Sequence, residues 1–410
     1  MGRYRNTSTG FTRNRSLTFR GLVYFLFSKG KSSLQYELDE YFSNQAKSYT
    51  KSALTQHRSK LKYEIFDDIN YSMLDEFYQR YDEVKTWKGY RLVGIDGSTM
   101  QLPTSKELIE DFGIFETRTE NNRQVVLSRI SQAYDVLNGL TLDAKIAHYR
   151  TSELSLADGH IQSLKSNDLI LMDRAYASFW FMSKLISQNH SFVIRLKERR
   201  WNIAKNLLQS GKTEEVHTIK PSSEAIKKCK QKGISYEPLT LRIVRVKIEN
   251  GEDYVLITNL VDTTKYTFQE LGDLYRLRWP TEESFKHLKL RGELENLSGK
   301  TTLAVKQDFF RIIARANLSQ IISIATTTNQ TKNINSKRKS DYQINRQQAY
   351  RKSKKIIEMI EKIPYRKWLE KIKNFANELM RQLEIVRPNR KIPIARRYGG
   401  RPVNFMAYKP

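Results

Sequence analysis

The chain has 410 residues, with 71 Lys or Arg against 44 Asp or Glu and a formal charge of +27. That length suggests two to four domains and is ample for a buried core, and the charge points to a polyanionic partner. The single cysteine, Cys229, excludes an intrachain disulfide or a paired-cysteine zinc site. His57, His148, His160, His190, His217 and His287 show no HExxH or paired-ligand spacing and read as surface or packing residues. No glycine-rich phosphate loop of the Walker or dinucleotide type is present, so neither ATP nor a nicotinamide is expected.

The opening MGRYRNTSTGFTRNR is basic and polar and reads as an arm that orders on binding, followed by LTFRGLVYFLF, an apolar helix too short to cross a bilayer. Several helices are expected between Leu17 and Arg80, including SSLQYELDEYFS and KSALTQHRSKL, the second started by Tyr49 and Thr50. The basic residues His57, Arg58, Lys60 and Lys62 on that second helix fit a helix-turn-helix-like DNA reader, and an ordinary helical bundle fits the same pattern.

From about Tyr90 the pattern turns to strands. In RLVGIDGSTM, Leu92, Val93 and Ile95 read as a short buried strand running into Asp96 and Gly97. VVLSRISQAYDV and LTLDAKIAHY form a hairpin through Asn138 and Gly139. A helix over Ser152 to Leu164, a strand over Leu169 to Met172 that ends at Asp173, a helix over Phe179 to Ile186 and a strand over Phe192 to Leu196 give a mixed α/β order. LTLRIVRVKI and YVLITNL flank a turn at Glu249, Asn250, Gly251 and Glu252, so the segment between Asp173 and Glu282 is at least partly β.

TTLAVKQDFFRIIARANLSQIISIA reads as a long helix covering the sheet. Thr326 to Lys355 is polar and basic and reads as a linker or a segment that orders on DNA. A helical region from Ile356 to Ile385 precedes an irregular tail with Pro388, Pro393 and Pro402. Residues 331 to 410 hold 22 Lys or Arg against 6 Asp or Glu, an excess suited to binding DNA by counterion release. Of Tyr350, Tyr365, Trp368 and Phe375 in this region, half or more read as core rather than as stacking groups.

One segment stands apart. In DLYRLRWPTEESFKHLKL, Tyr275, Arg278, Glu282 and Lys289 recur at spacings that on one helix form a stripe about 60° wide. An ordinary amphipathic helix, with Glu282 paired to Arg278 and Lys286, is the bland reading. Pro280 predicts a kink or a fresh helix start within the segment. Asp96 and Asp173, each ending an apolar run, are either turn caps or part of a site at the sheet edge.

Together, Asp96, Asp173, Glu282 and the Tyr-Arg-Glu-Lys spacing resemble the DDE transposases of bacterial insertion sequences, in particular insertion-sequence family four. Arg174 and Tyr176 match the Asp-Arg-Gly-aromatic pattern that follows the second acid in that family, with Ala175 in place of the glycine. The resemblance implies an α/β ribonuclease-H-like catalytic core interrupted by a β-rich insertion, with helical N-terminal and basic helical C-terminal regions. The corresponding division is 1–85 for a helical domain binding DNA ends, 86–198 for the first part of the core, and 199–262 for the insertion. Residues 263–326 carry the second part with the catalytic helix, and 327–410 a basic linker and helical region that contacts DNA or dimerises.

The resemblance further implies that Asp96, Asp173 and Glu282 are catalytic and hold two magnesium ions, for which manganese can substitute, while Tyr275, Arg278, Lys289 and Arg174 contact DNA. Three carboxylates without cations would repel by about 4 kcal/mol per close pair at an effective dielectric near 20, whereas a metal pair can serve both the attacking and leaving oxygens of a phosphodiester. The implied activity is cut-and-paste transposition through a hairpin intermediate. The implied partners are the element's own terminal inverted repeats, target DNA and a second copy in a synaptic complex. A cytoplasmic, nucleoid-associated protein without membrane contact is expected. Trp201, Tyr254 and Trp279 are candidates for holding a flipped base. A structure-specific nuclease using the same acids, and a non-catalytic DNA binder descended from a transposase, are the alternatives.

Overall fold

The computed structural model describes all residues except 1, 9, 13–16, 31, 44–47, 117–123, 249–250, 291, 336–341 and 386–410, and leaves aside the side chains of 327–335, 365 and 369. Part of the opening arm, half of the turn expected at 249–252 and the tail with Pro388, Pro393 and Pro402 lie outside the described residues.

In chain order the elements are α1 (Phe19–Ser28), α2 (Leu34–Tyr41), α3 (Lys51–Arg58), α4 (Glu64–Arg80), β1 (Arg91–Leu102), α5 (Lys106–Phe112), β2 (Ile114–Glu116), β3 (Gln124–Asp135), β4 (Leu140–His148), α6 (Glu153–His160), β5 (Asp168–Met172) and α7 (Phe179–Ser187). They continue with β6 (Ser191–Arg195), α8 (Asn202–Ser210), β7 (Glu214–Ile219), α9 (Ser223–Lys232), β8 (Leu239–Val246), β9 (Tyr254–Thr258), α10 (Phe268–Arg276), α11 (Trp279–Leu290), α12 (Thr302–Asn335), β10 (Tyr342–Ile344), α13 (Arg346–Lys362), α14 (Trp368–Met380) and β11 (Leu383–Ile385). The chain divides into two compact units, one of Met1–Tyr81, Thr99–Ser128 and Lys286–Pro410, the other of Asp82–Ser98 and Arg129–Phe285.

The first unit is mostly helical. Thr18, Ser33 and Thr50 cap α1, α2 and α3 by accepting a backbone N–H three residues on, which satisfies one donor orphaned at each helix start. The start expected at Thr50 is therefore present. Helix α12 packs against α4, α13, α14 and α1, so much of its apolar face meets other helices. The polar stretch after Thr326 is not a plain linker: α12 runs on to Asn335, and α13 starts at Arg346 behind its Asn345 cap.

At the centre of this unit Asp308, fully buried, accepts from the Ser298 N–H and hydroxyl at 2.8 and 2.7 Å and from Arg311 Nε at 2.7 Å. Arg58 stands 3.2 Å away and also donates to Ser298 Oγ and the Ala304 carbonyl, both at 2.7 Å. Arg58 is thus an internal clamp that ties α3 to α12, not one of the DNA-facing cations that the sequence pattern suggests.

The second unit carries most of a nine-stranded mixed sheet of order β2-β3-β1-β5-β6-β9-β8-β7, with β4 on β3 through the expected turn, where Gly139 has φ 72°. Strands β1, β5 and β6 are parallel neighbours, and β6, β9, β8 and β7 continue antiparallel. Side chains alternate between two apolar layers. Val93, Ile95, Ile170 and Met172 enter one layer with α7, while Leu92, Leu169 and Leu171 enter the other with Leu271, Leu274 and Tyr275 of α10. The segment after β6 holds β7, β8 and β9 together with α8 and α9, so it is mixed rather than purely β.

Candidate active site

The last register pair of β1 and β5 is Ile95 with Met172, and the next residue on each chain is an acid, Asp96 and Asp173. Neighbouring strands lie about 4.8 Å apart, so the parallel pairing delivers the two acids side by side, Asp96 within β1 where its pairing with β5 stops and Asp173 just past the end of β5. By alternation they leave the sheet on the face of Leu92, Leu169 and Leu171, the face that α10 covers.

Glu282 comes to the same face because α11 is seated on it. Gly94, two residues before Asp96, is packed so tightly that a Cβ there would meet Thr281 Oγ1 at 2.0 Å. The buried amide of Gln132 on β3 donates to the Thr281 carbonyl at 3.1 Å and shares its oxygen with Ser284 Oγ at 3.2 Å. These contacts fix the first turn of α11, where Glu282 stands.

Pro280 lies in that first turn, where its missing N–H costs nothing. Helix α10 ends at Arg276 and α11 begins at Trp279, so Tyr275 and Glu282 are on different helices, with Arg278 in the turn between. The single stripe drawn from the sequence is therefore corrected to two helices meeting at Pro280. Their junction still gathers three of its four members. Arg278 Nη2 donates to Glu282 Oε1 at 2.7 Å, Nη1 stands 4.0 Å from Asp96 Oδ2, and the guanidinium lies 5.8 Å from the centre of the Tyr275 ring. Lys289 falls in the helical unit, where it donates to the Thr99 carbonyl and lies 3.7 Å from Glu295.

Asp96 is 18% exposed and accepts the Gly97 N–H at 2.9 Å. Burial pushes its pKa up to about 6, Glu282 and Glu153 push the same way, and the Gly97 N–H and Arg278 oppose them. Asp173 is partly exposed and accepts the Arg174 N–H at 2.6 Å. Arg174 itself is exposed, and Ala175 is not among the residues with positive φ, so the alanine meets no backbone penalty at the position where the family pattern has glycine.

Glu153, which the sequence does not single out, and Tyr176, the aromatic that follows Asp173 and Arg174, complete the surroundings. Glu153, first residue of α6, accepts from Arg129 Nη1 at 2.9 Å and lies along Gly97, whose Cβ would meet its Cγ at 2.8 Å. Tyr176 is 1% exposed and its hydroxyl has no hydrogen-bond partner among the described residues. Burial raises the Tyr176 pKa, and Asp96, Glu153 and Asp173 each add to the rise while Arg278 opposes it. Burial likewise raises Tyr275, with Arg278 opposing and Asp173 assisting. Glu153 follows Ser152, the cap of α6, and in sequence looks like an ordinary acid in a helix's first turn.

The oxygen donors of Asp96, Asp173 and Glu282 suit hard divalent cations. Among the described residues, however, no group of three or more His, Cys, Asp or Glu is drawn close enough to hold an ion, and Arg278 supplies the positive charge between Asp96 and Glu282. The donor set fits a metal. Of the aromatic candidates for a flipped base, Tyr254 is buried, Trp201 half-buried and Trp279 exposed. No described helix is long and apolar enough to cross a membrane.

Comparison with known proteins bears on these positions. The family model described as transposase DDE domain matches residues 87–318, which include Asp96, Asp173 and Glu282. The chain is 25% identical over 238 residues, 57% of its length, to the transposase InsG for insertion sequence element IS4 of Escherichia coli (strain K12). It is 26% identical over 151 residues, 36% of its length, to a probable transposase for insertion sequence element IS5377 of Geobacillus stearothermophilus. These matches span 52% and 38% of the two relatives, so the chain covers about half their length or less. A solved structure, the piggyBac transposase synaptic complex with hairpin DNA, superposes with a TM-score of 0.45 at 11% identity, covering 87% of this chain and 74% of that one.

Proposed function

We propose, from the premise that this chain belongs to the family of transposase DDE domains, that it cuts the ends of an insertion sequence and joins the freed 3′ ends to target DNA. The observation that carries this reading is the register of β1 on β5, which brings Asp96 and Asp173 together on the face where Thr281 seats Glu282. A ribonuclease-H-like core is the reading of this arrangement that we adopt.

Asp96, Asp173 and Glu282 would hold two magnesium ions, or manganese in their place. When bound, such ions supply charge that polarises the attacking oxygen and neutralises the leaving one. The chain's own residues do the rest. Arg278, now paired with Glu282, turns to the phosphate beside the cut, which frees the Glu282 carboxylate. Tyr275, packed under Arg278, fixes the direction of that turn. Arg174, exposed next to Asp173, holds the flanking strand by charge, and Lys289 of the helical unit is a separate DNA contact in this reading.

The partners in this reading are the terminal inverted repeats, target DNA and a second copy of the chain, with the N-terminal helices binding DNA ends and the basic C-terminal region contacting DNA or dimerising. Cut-and-paste chemistry through a hairpin follows from the resemblance to insertion-sequence family four. The test is to incubate the purified protein with its element ends, magnesium or manganese, and a plasmid target. Joined 3′ ends are expected. Cleavage without joining would replace this reading with a structure-specific nuclease, and binding without cleavage would replace it with a non-catalytic DNA binder.

A further inference from the structure

We propose that Asp143, His160 and Ser131 form a buried relay that holds the backbone of Asp96 in place, which makes Ser131 and His160 positioning residues for the reaction proposed above; the inference rests on that reading. The relay is continuous. Asp143 Oδ2 lies 2.8 Å from His160 Nδ1, His160 Nε2 lies 2.9 Å from Ser131 Oγ, and Ser131 Oγ donates to the Asp96 carbonyl oxygen at 3.1 Å. It joins β4, the last residue of α6 and β3 to Asp96 within β1.

An acid, an imidazole and a serine hydroxyl in this order also describe a nucleophile triad. Burial rules that use out here. His160 is 0%, Ser131 1% and Asp143 7% exposed, so no substrate reaches the hydroxyl, and its proton is already directed at Asp96. With the Ser131 proton on the Asp96 carbonyl, His160 Nε2 is the donor in their contact, and the Asp143 carboxylate accepts from Nδ1, so the relay as drawn has both ring nitrogens donating. The Nδ1 position faces the Asp143 carboxylate, which Lys145 also meets at 2.9 Å. Burial would raise the Asp143 pKa, but His160 and Lys145 hold it below its ordinary value, consistent with a charged carboxylate anchoring the ring.

Asp96 has reason to need such an anchor. It stands where β1 leaves its register with β5, and its carboxylate must keep its direction against the pull of Arg278 and the push of Glu282. His160 is buried, and its two polar contacts on opposite sides of the ring give it a directed role beyond packing.

The test uses the full chain with Ser131→Ala and Asp143→Asn, and with Asp96→Asn as the control. Manganese binding to the DNA-free protein, counted by electron paramagnetic resonance of the free ion, should weaken about tenfold in Ser131→Ala and Asp143→Asn. Single-turnover end cleavage should slow by a similar factor with the half-saturating DNA concentration unchanged. The double variant should be no worse than the poorer single one, and Ser131→Thr, which keeps the hydroxyl, should recover binding. Should Ser131→Ala not fold, Asp143→Asn carries the same comparison, since it keeps the side chain's shape. Wild-type manganese binding and cleavage in the folded relay variants, beside an inactive Asp96→Asn, would overturn the relay and leave the proposed function standing. An Asp96→Asn protein that still cleaves would overturn the proposed function itself.

Discussion

Thr281 occupies the space that a side chain at residue 94 would need: its Oγ1 lies 2.0 Å from where a Cβ on Gly94 would stand. Glycine is required there by this contact and not by a turn, because residue 94 sits inside β1 in register with Leu171. Adding a methyl group would force α11 away from the strand end and carry Glu282 with it. Gly94→Ala should therefore cost about 1–3 kcal/mol of stability as an overpacking change, and should lower end cleavage by more than that loss explains. Thr281→Ala in the same chain should restore part of the cleavage. Melting curves and cleavage rates on the three variants check this, and an unchanged cleavage rate in Gly94→Ala would detach Glu282 from the seating argument.

The raised pKa of Asp96 has a sign that can be worked out. Between the unfolded value of 3.8 and the folded value of about 6, the folded state holds more protons than the unfolded chain. Stability from this group is therefore fully present below the unfolded value and is lost as pH rises through the folded one. The loss amounts to at most about 3 kcal/mol at 1.36 kcal/mol per unit. Asp96→Asn should remove it, giving a protein more stable than wild type at neutral pH and similar to it near pH 4. Thermal melts of both proteins across that range give the comparison. Equal differences at every pH would show that Asp96 carries no such strain.

Asp308 is the opposite case. Burial works against its charge, but Arg58, Lys29, Arg311 and the Ser298 N–H hold its pKa well below the usual carboxylate range. Its contribution is present above the unfolded value and is lost only as pH falls toward the folded one. Asp308→Asn would leave Arg58 and Arg311 buried beside a neutral partner and should cost about 3–5 kcal/mol. Denaturant titration at neutral pH measures this, and a loss under 1 kcal/mol would mean that the cluster is compensated elsewhere.

What could be read in the sequence was local. Thr50 as a helix cap, the Asn138-Gly139 turn and the helix restart at Pro280 each follow from the local chemistry of one or two residues, and each is present. The two acids that follow apolar runs were also legible, because Asp96 and Asp173 break the patterns that precede them, although β1 itself runs on to Leu102 rather than stopping at Asp96. What escaped depends on partners far along the chain. Arg58 looks like a surface cation until Ser298 and Ala304 enclose it. Glu153 and the Ser131, His160 and Asp143 relay carry no spacing signal, since three separate elements must meet before they touch Asp96 or its neighbours. The helical stripe failed for a related reason: periodicity assumes one axis, and α10 and α11 have two.

Substituting Glu282 is the most direct trial of the central claim that three far-separated acids act together. Glu282→Gln keeps the size of the side chain and its reach toward Arg278 while removing the charge. In an assay with labelled element ends and magnesium, the account predicts that cleavage and joining disappear while end binding stays close to wild type. Cleavage at the wild-type rate by a folded Glu282→Gln protein would contradict it.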